Sequence, residues 1–184
     1  VWNVSDKPEI AVRPVNMDAE QTLRTAWRGT NSIPSWSWRG CEGRRAQVEV
    51  YSNAKEIELW LNDILVGRKE TTDCCASFEV EYTAGKLEAV AYDESGNAIG
   101  RNELNSATGE LTIGITPETE AVAGKLLYVN VELIGENGIV ESNADEKIKI
   151  TVSGGELLGF GSANPRSEES FLSGEYTTWY GRTQ

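Results

Sequence analysis

Residues 56–67 read Glu56-Ile57-Glu58-Leu59-Trp60-Leu61-Asn62-Asp63-Ile64-Leu65-Val66-Gly67. Apolar side chains occupy every second position, Ile57, Leu59 and Leu61, with acidic or aromatic ones between them. A period of two sends the two sets to opposite faces of an extended strand, whereas a helix needs apolar residues three and four apart. Asn62-Asp63 is the kind of polar pair that closes a short hairpin. The stretch therefore predicts a strand, a tight turn and a second strand. It also singles out one residue. With Leu59 and Leu61 on the core side, Trp60 points away with Glu58.

The same period recurs along the chain. It appears in Ala46, Val48 and Val50, in Phe78, Val80 and Tyr82, and in Leu111, Ile113 and Ile115. It returns in Leu127, Val129, Val131 and Leu133, and in Ile148, Ile150 and Val152. Leu87–Tyr92 is almost continuously apolar and reads as a central strand. Turn formers separate the runs at Ser95-Gly96-Asn97, Glu136-Asn137-Gly138 and Ser153-Gly154-Gly155. Short strands between such turns predict an all-β chain of antiparallel sandwiches.

Helical spacing is confined to Asp18–Trp27, where a short helix and a covering loop fit equally well. The surrounding stretch, 15–43, reads as a long irregular excursion. The polar segment 102–109 breaks the strand pattern near residue 107. Each side holds enough strands for one immunoglobulin-like sandwich. The expected organisation is two tandem immunoglobulin-like antiparallel β-sandwich domains, 1–107 and 108–184. Core residues are expected from Val48–Tyr51, Ile57–Leu61, Phe78–Tyr82 and Leu87–Tyr92 in the first, and from Leu127–Leu133 and Ile148–Val152 in the second.

Composition removes several functions. The 184 residues include no histidine, so a Ser-His-Asp triad, a Cys-His dyad and His-ligated zinc or haem are excluded from this chain. Seventeen basic against 29 acidic residues give a net charge of −12, the wrong sign for gripping phosphate, so nucleic acid is not an expected partner. No apolar run approaches the ~20 residues that span a bilayer, so no membrane partner is expected either. The three cysteines, Cys41, Cys74 and Cys75, form no complete disulfide set, and the adjacent pair would make a strained bridge. This usage leans toward a reducing, cytoplasmic compartment. With neither initiator Met nor signal peptide, the chain is expected to be cut from something longer.

Carboxylates are abundant, but Glu49, Glu56, Glu58, Glu79, Glu81 and Glu88 fall on polar strand faces and read as a solvated surface. The oxygen-rich turns 93–97 and 143–146 do not match a twelve-residue calcium loop. Gly154-Gly155 and Gly159-Phe160-Gly161 lack the strand-then-helix context of a phosphate cradle. No catalytic, cofactor-binding or metal-binding residue is expected, and no cofactor. The six tryptophans, Trp2, Trp27, Trp36, Trp38, Trp60 and Trp179, carry more information. Trp36 and Trp38 share a face if the chain is extended there. Indoles serve equally as packing residues and as stacking platforms for sugar rings. Trp60, Trp36 and Trp38 are thus the candidates for a carbohydrate or interdomain contact.

Pro34-Ser-Trp-Ser-Trp-Arg-Gly40, Val48-Glu-Val-Tyr-Ser-Asn53 and Ile57–Gly67, in this order, resemble a module in the C-terminal half of glycoside hydrolase family 2, the β-galactosidase-like enzymes. Phe78–Tyr82 and Gly85–Tyr92 continue the likeness, with Asp63 standing where the family usually has Gly. The second half resembles the next domain of those enzymes, an immunoglobulin-like or invasin-like sandwich. Leu127–Leu133, Glu136–Val140, Asn143–Asp145, Ile148–Val152 and Gly155–Pro165 carry that likeness. Tyr180-Gly181-Arg182 falls where that domain begins its last strand, which the resemblance implies is missing or partial here. Val1–Pro14 resembles the exit from the catalytic barrel.

The resemblance implies a non-catalytic accessory fragment. The acid/base and nucleophilic glutamates of the whole enzyme would lie upstream on a (β/α)8 barrel, and no residue here inherits either role. The implied partners are that barrel and other domains of the same polypeptide, with carbohydrate as an alternative. Two further readings stay open: a carbohydrate-binding module, and a surface adhesion repeat.

Overall fold

A computed structural model describes residues 7–17 and 30–184. The chain forms two compact units, the first ending at Ser106 and the second running from Ala107 to Gln184. All regular structure among the described residues is antiparallel β, and none of it is helical. The expected short helix at Asp18–Trp27, and Trp2 and Trp27, lie outside the described residues.

The first unit has two sheets. One holds β1 (Glu9–Val12), β2 (Arg45–Tyr51) and β5 (Cys75–Glu81) in the order β1-β2-β5. The other holds β3 (Glu56–Leu61), β4 (Ile64–Glu70), β6 (Lys86–Tyr92) and β7 (Ala98–Asn105) in the order β4-β3-β6-β7. Cross-strand register aligns the apolar sets. Ile10 pairs with Val50 and Val12 with Val48 on one side, and Val48 pairs with Phe78 and Val50 with Ala76 on the other. In the second sheet Ile57 faces Ala91, Leu59 faces Ala89 and Leu61 faces Leu87. Ile57, Leu59, Leu87, Ala89 and Ala91 are all fully buried, and β6 is a central strand as its apolar run requires. Each burial removes apolar surface from water at about 25 cal/mol per Å².

The hairpin has the expected geometry. Asn62 and Asp63 carry φ of 50° and 63°, the left-handed pair of a type I′ turn, whose twist matches that of the flanking strands. One extra residue then enters β4. Leu59 pairs with Gly67 but Trp60 pairs with Leu65, so Val66 bulges. At the β4 edge, Lys69 sits opposite Ile57, donates from Nζ to the Ser77 carbonyl at 2.6 Å and lies 5.1 Å from the Phe78 ring centre. An inward-reaching lysine of this kind discourages edge-to-edge pairing.

The Trp-rich segment belongs to the core. Trp36 and Trp38 both have 0% exposure. Trp36 donates from Nε1 to the Thr83 carbonyl at 3.1 Å and meets Tyr82 edge-on at 4.9 Å between ring centres. Trp38 donates its backbone N–H to the Tyr82 hydroxyl at 2.9 Å and its Nε1–H to the Ser35 carbonyl at 3.3 Å. Among the described residues of the irregular excursion, Ile33 bridges Val12 of β1, with bonds of 2.8 and 2.9 Å.

The second unit has a sheet in the order β12-β9-β8, from β8 (Thr112–Pro117), β9 (Val129–Ile134) and β12 (Arg182–Thr183). Facing it is a two-stranded sheet, β10 (Lys147–Lys149) with β11 (Glu175–Thr177). Its core gathers Val131, Leu133, Ala144, Ile148, Phe160 and Tyr176, with Leu111, Ile150 and Leu157 packed against it. One expectation needs correction here. The run Ile148–Val152 contributes only its first part, because β10 stops at Lys149 and Val152 is half exposed. Ile113 and Ile115 lie in the expected strand, yet they are 55% and 67% exposed.

Candidate functional site

The outer face of β4-β3-β6-β7 carries Trp60, the only one of the three candidate tryptophans not closed into the core. Register sets Glu58 between Arg68 of β4 and Val90 of β6, and Trp60 between Leu65 and Glu88. Glu58 gathers three donors: Tyr92 O–H at 2.7 Å, Trp60 Nε1–H at 3.2 Å and Arg68 Nη1–H at 3.3 Å. Arg68 also reaches Glu56, at 2.6 Å from Nη2, and its guanidinium carbon lies 4.3 Å from the centre of the Tyr92 ring. The hydrogen bond to Glu58, then burial, pushes the Tyr92 phenol up from its ordinary value. Glu88 is paired with Arg101 at 3.2 Å and Lys86 at 3.7 Å. Beneath this lattice Val90, an outward-facing residue, is only 3% exposed.

The result is a patch of two aromatic rings held in place by cross-strand ion pairs. Its carboxylates are engaged by neighbouring cations, while its rings offer apolar surface. Such a face suits contact with another flat surface, protein or sugar, better than proton transfer. Trp36 and Trp38 are not part of it, since burial and spent N–H groups leave them no surface for a ligand.

A second polar cluster lies on the other sheet and corrects the reading of Glu49 as a solvated carboxylate. Glu49 is 7% exposed. It receives Arg13 Nη2 at 2.8 Å, Thr30 Oγ1 at 2.7 Å, Ser32 Oγ at 2.7 Å and the Tyr51 hydroxyl at 3.0 Å. Burial alone would push its pKa up, but the donors from Arg13, Ser32, Thr30 and Tyr51 outweigh it and hold the group at about 2. Burial and the bond to Glu49 lift Tyr51 to about 12. The covering residues, 30–33, are bridged to β1, so this carboxylate clasps the excursion onto the sheet. Alternation marked Glu49 as outward-facing but carried no sign of the layer above it. Among the described residues, no group of three or more His, Cys, Asp or Glu could hold a metal ion.

Comparison with known proteins places both units. Residues 43–100 match a family model described as a domain of unknown function, DUF4982, and residues 113–184 match glycoside hydrolase family 2 C-terminal domain 5. The beta-galactosidase BoGH2A of Bacteroides ovatus is 30% identical over 157 residues, which span 82% of this chain and 18% of that protein. A family 2 glycosyl hydrolase from Bacteroides cellulosilyticus superimposes with a TM-score of 0.83 at 31% identity, over 99% of this chain and 25% of that one. A beta-glycosidase from Bacteroides vulgatus shares the fold, with a TM-score of 0.69 at 21% identity over 97% of this chain and 21% of that one. The chain thus spans a quarter or less of the length of these relatives. It belongs to glycoside hydrolase family 2, as C-terminal accessory domains of that family.

Proposed function

We propose that this chain is the structural tail of a β-galactosidase-like enzyme that removes terminal β-glycosides. The observation that carries the reading is the alignment with a beta-galactosidase across 82% of the chain. Hydrolysis in the whole polypeptide would proceed with retention, by two carboxylates on a barrel outside these residues, one acting as nucleophile and one as acid/base. The two accessory domains, 1–107 and 108–184, contribute packing and spacing. The Trp60 face docks on another domain of the same polypeptide. A half-buried indole whose N–H is already given to Glu58 presents mainly apolar ring, which suits a dry protein contact.

The test compares the whole encoded polypeptide with residues 1–184 on 4-nitrophenyl β-D-galactopyranoside. Turnover by the first and none by the second is expected. A reading frame that holds only sandwich repeats, or a whole polypeptide inert toward a panel of β-glycosides, overturns the proposal.

A second reading, carbohydrate binding, rests on Trp60 and Tyr92 sharing one face. It requires indole fluorescence of residues 1–184 to quench saturably with galactosides and requires Trp60→Ala to abolish that response. An unresponsive panel of sugars leaves the domain contact standing.

A further inference from the structure

In the second unit, cross-strand partners that point the same way meet different surroundings. Ile113 of β8 pairs with Leu133 of β9, and Ile115 pairs with Val131. Directly opposed residues on antiparallel strands project from the same face of a sheet. Val131 and Leu133 are 5% and 7% exposed, whereas Ile113 and Ile115 are 55% and 67% exposed. The isoleucines therefore face the core side of the sheet at a place where no core covers them. The reason lies in the facing layer. The β10–β11 pair is two strands of three residues each, and the core it closes with Phe160 and Ala144 takes in Val131 and Leu133 of β9 and Leu111 just before β8, but neither Ile113 nor Ile115. Pro117, opposite Val129, extends the same uncovered strip.

We infer that this strip is a docking surface for an extended, apolar-alternating segment of the same polypeptide, outside these 184 residues, that widens the second layer over β8. Three observations favour that occupant. The relatives matched here are four to five times longer than this chain, so the polypeptide has ample length to supply it. The strip is narrow, one strand wide, with alternating apolar residues, which a facing strand about 10 Å away matches. Charge disfavours a second copy. Residues 107–184 carry twelve acidic and five basic residues, and Glu110, Glu118 and Glu120 bracket β8, so two copies meeting here would bring like charges together. The inference rests on the chain being part of a longer polypeptide, but not on that polypeptide's sugar chemistry, so its test reads protection and not turnover.

The test is hydrogen exchange at 112–117, measured in residues 1–184 and in the whole polypeptide, each with and without the double change Ile113→Asp and Ile115→Asp. Exchange in the wild-type segment should be at least about tenfold slower in the whole polypeptide, since covering two isoleucines stabilises the strand against opening. The double change should erase that protection in the whole polypeptide and leave residues 1–184 unaltered. A Thr112→Asp and Thr116→Asp control, on the opposite face of β8, should preserve it. Equal exchange in both proteins overturns the inference. So does a loss of folding in residues 1–184 on making the double change, because the isoleucines would then be covered already. Concentration-dependent association of residues 1–184 that the double change abolishes also overturns it, by making the occupant a second copy.

Discussion

The two units use alternation alike and bury its product differently. In the first, every β3 and β6 residue in the register rows Ile57–Ala91 and Leu59–Ala89 is buried. In the second, the rows Leu133–Ile113 and Val131–Ile115 each hold one buried and one exposed residue. Alternation determines which way a side chain points. Whether a second layer lies there depends on segments distant in sequence, and the facing layer of the second unit is narrow.

The largest effects should follow that contrast. Trp38→Ala removes a fully buried indole from the first unit and should cost about 3–5 kcal/mol, the usual range for a large aromatic in a core. Ile115→Ala, on an exposed position of the second unit, should change stability by about 0.5 kcal/mol or less. Urea denaturation of residues 1–184 reads both, and similar costs would break the contrast.

Acid should also separate the units. Glu49 titrates near 2 when folded against an ordinary 4.5, so its contribution is complete above about 4.5 and is lost as pH falls from there toward 2. The loss is about 3 kcal/mol at most, by linkage. Glu49→Gln should remove most of this dependence from the first unit and leave the second as it was. Unchanged acid sensitivity in the variant would show that other carboxylates govern it.

Next in size is Gly181→Ala in the second unit. Gly181 has φ of +71°, and a Cβ there would stand 2.3 Å from the Glu141 carbonyl oxygen. Left-handed backbone and a clash with main chain together should cost about 2 kcal/mol or more. Gly96→Ala in the first unit shares the conformation, at φ +81°, but meets open space and should cost only about 1 kcal/mol. Thermal melts of the two variants sharpen the comparison, because they separate backbone strain from steric contact.

What was legible in the sequence follows from range. The hairpin, the central β6 strand and the outward aim of Trp60 rest on neighbours within a few residues, and all three stand in the structure. The partners of Trp60 were not legible. Continuing the hairpin ladder without interruption sets Glu58 opposite Gly67; the bulge at Val66 delivers Arg68 instead. Glu49 failed as a solvated carboxylate because its cover comes from Arg13, Thr30 and Ser32, on segments with no strand pattern of their own. Trp36 and Trp38 were ambiguous for the same reason. Their burial depends on Tyr82 and Thr83, more than forty residues away.

The smallest effects are expected at the turn between β3 and β4. Asn62 and Asp63 have nearly the same backbone conformation, yet they should respond oppositely to glycine. Asp63 holds a left-handed φ at some steric cost and is offset only by Lys86 Nζ at 2.7 Å, with its own side chain 82% exposed. An ion pair so exposed contributes little and weakens with salt. Asp63→Gly should therefore stabilise the first unit by about 0.5 kcal/mol, and by more at high salt. Asn62 instead accepts the Lys86 N–H at 2.9 Å and donates to the Ala84 carbonyl at 3.2 Å, tying the hairpin to β6. Asn62→Gly relieves the same backbone strain but loses both bonds, and should cost about 1 kcal/mol. If both changes stabilise, the turn is limited by its backbone alone. If both destabilise, the Lys86 pair is stronger than its exposure allows, and adding salt to the Asp63 variant and its parent would show which.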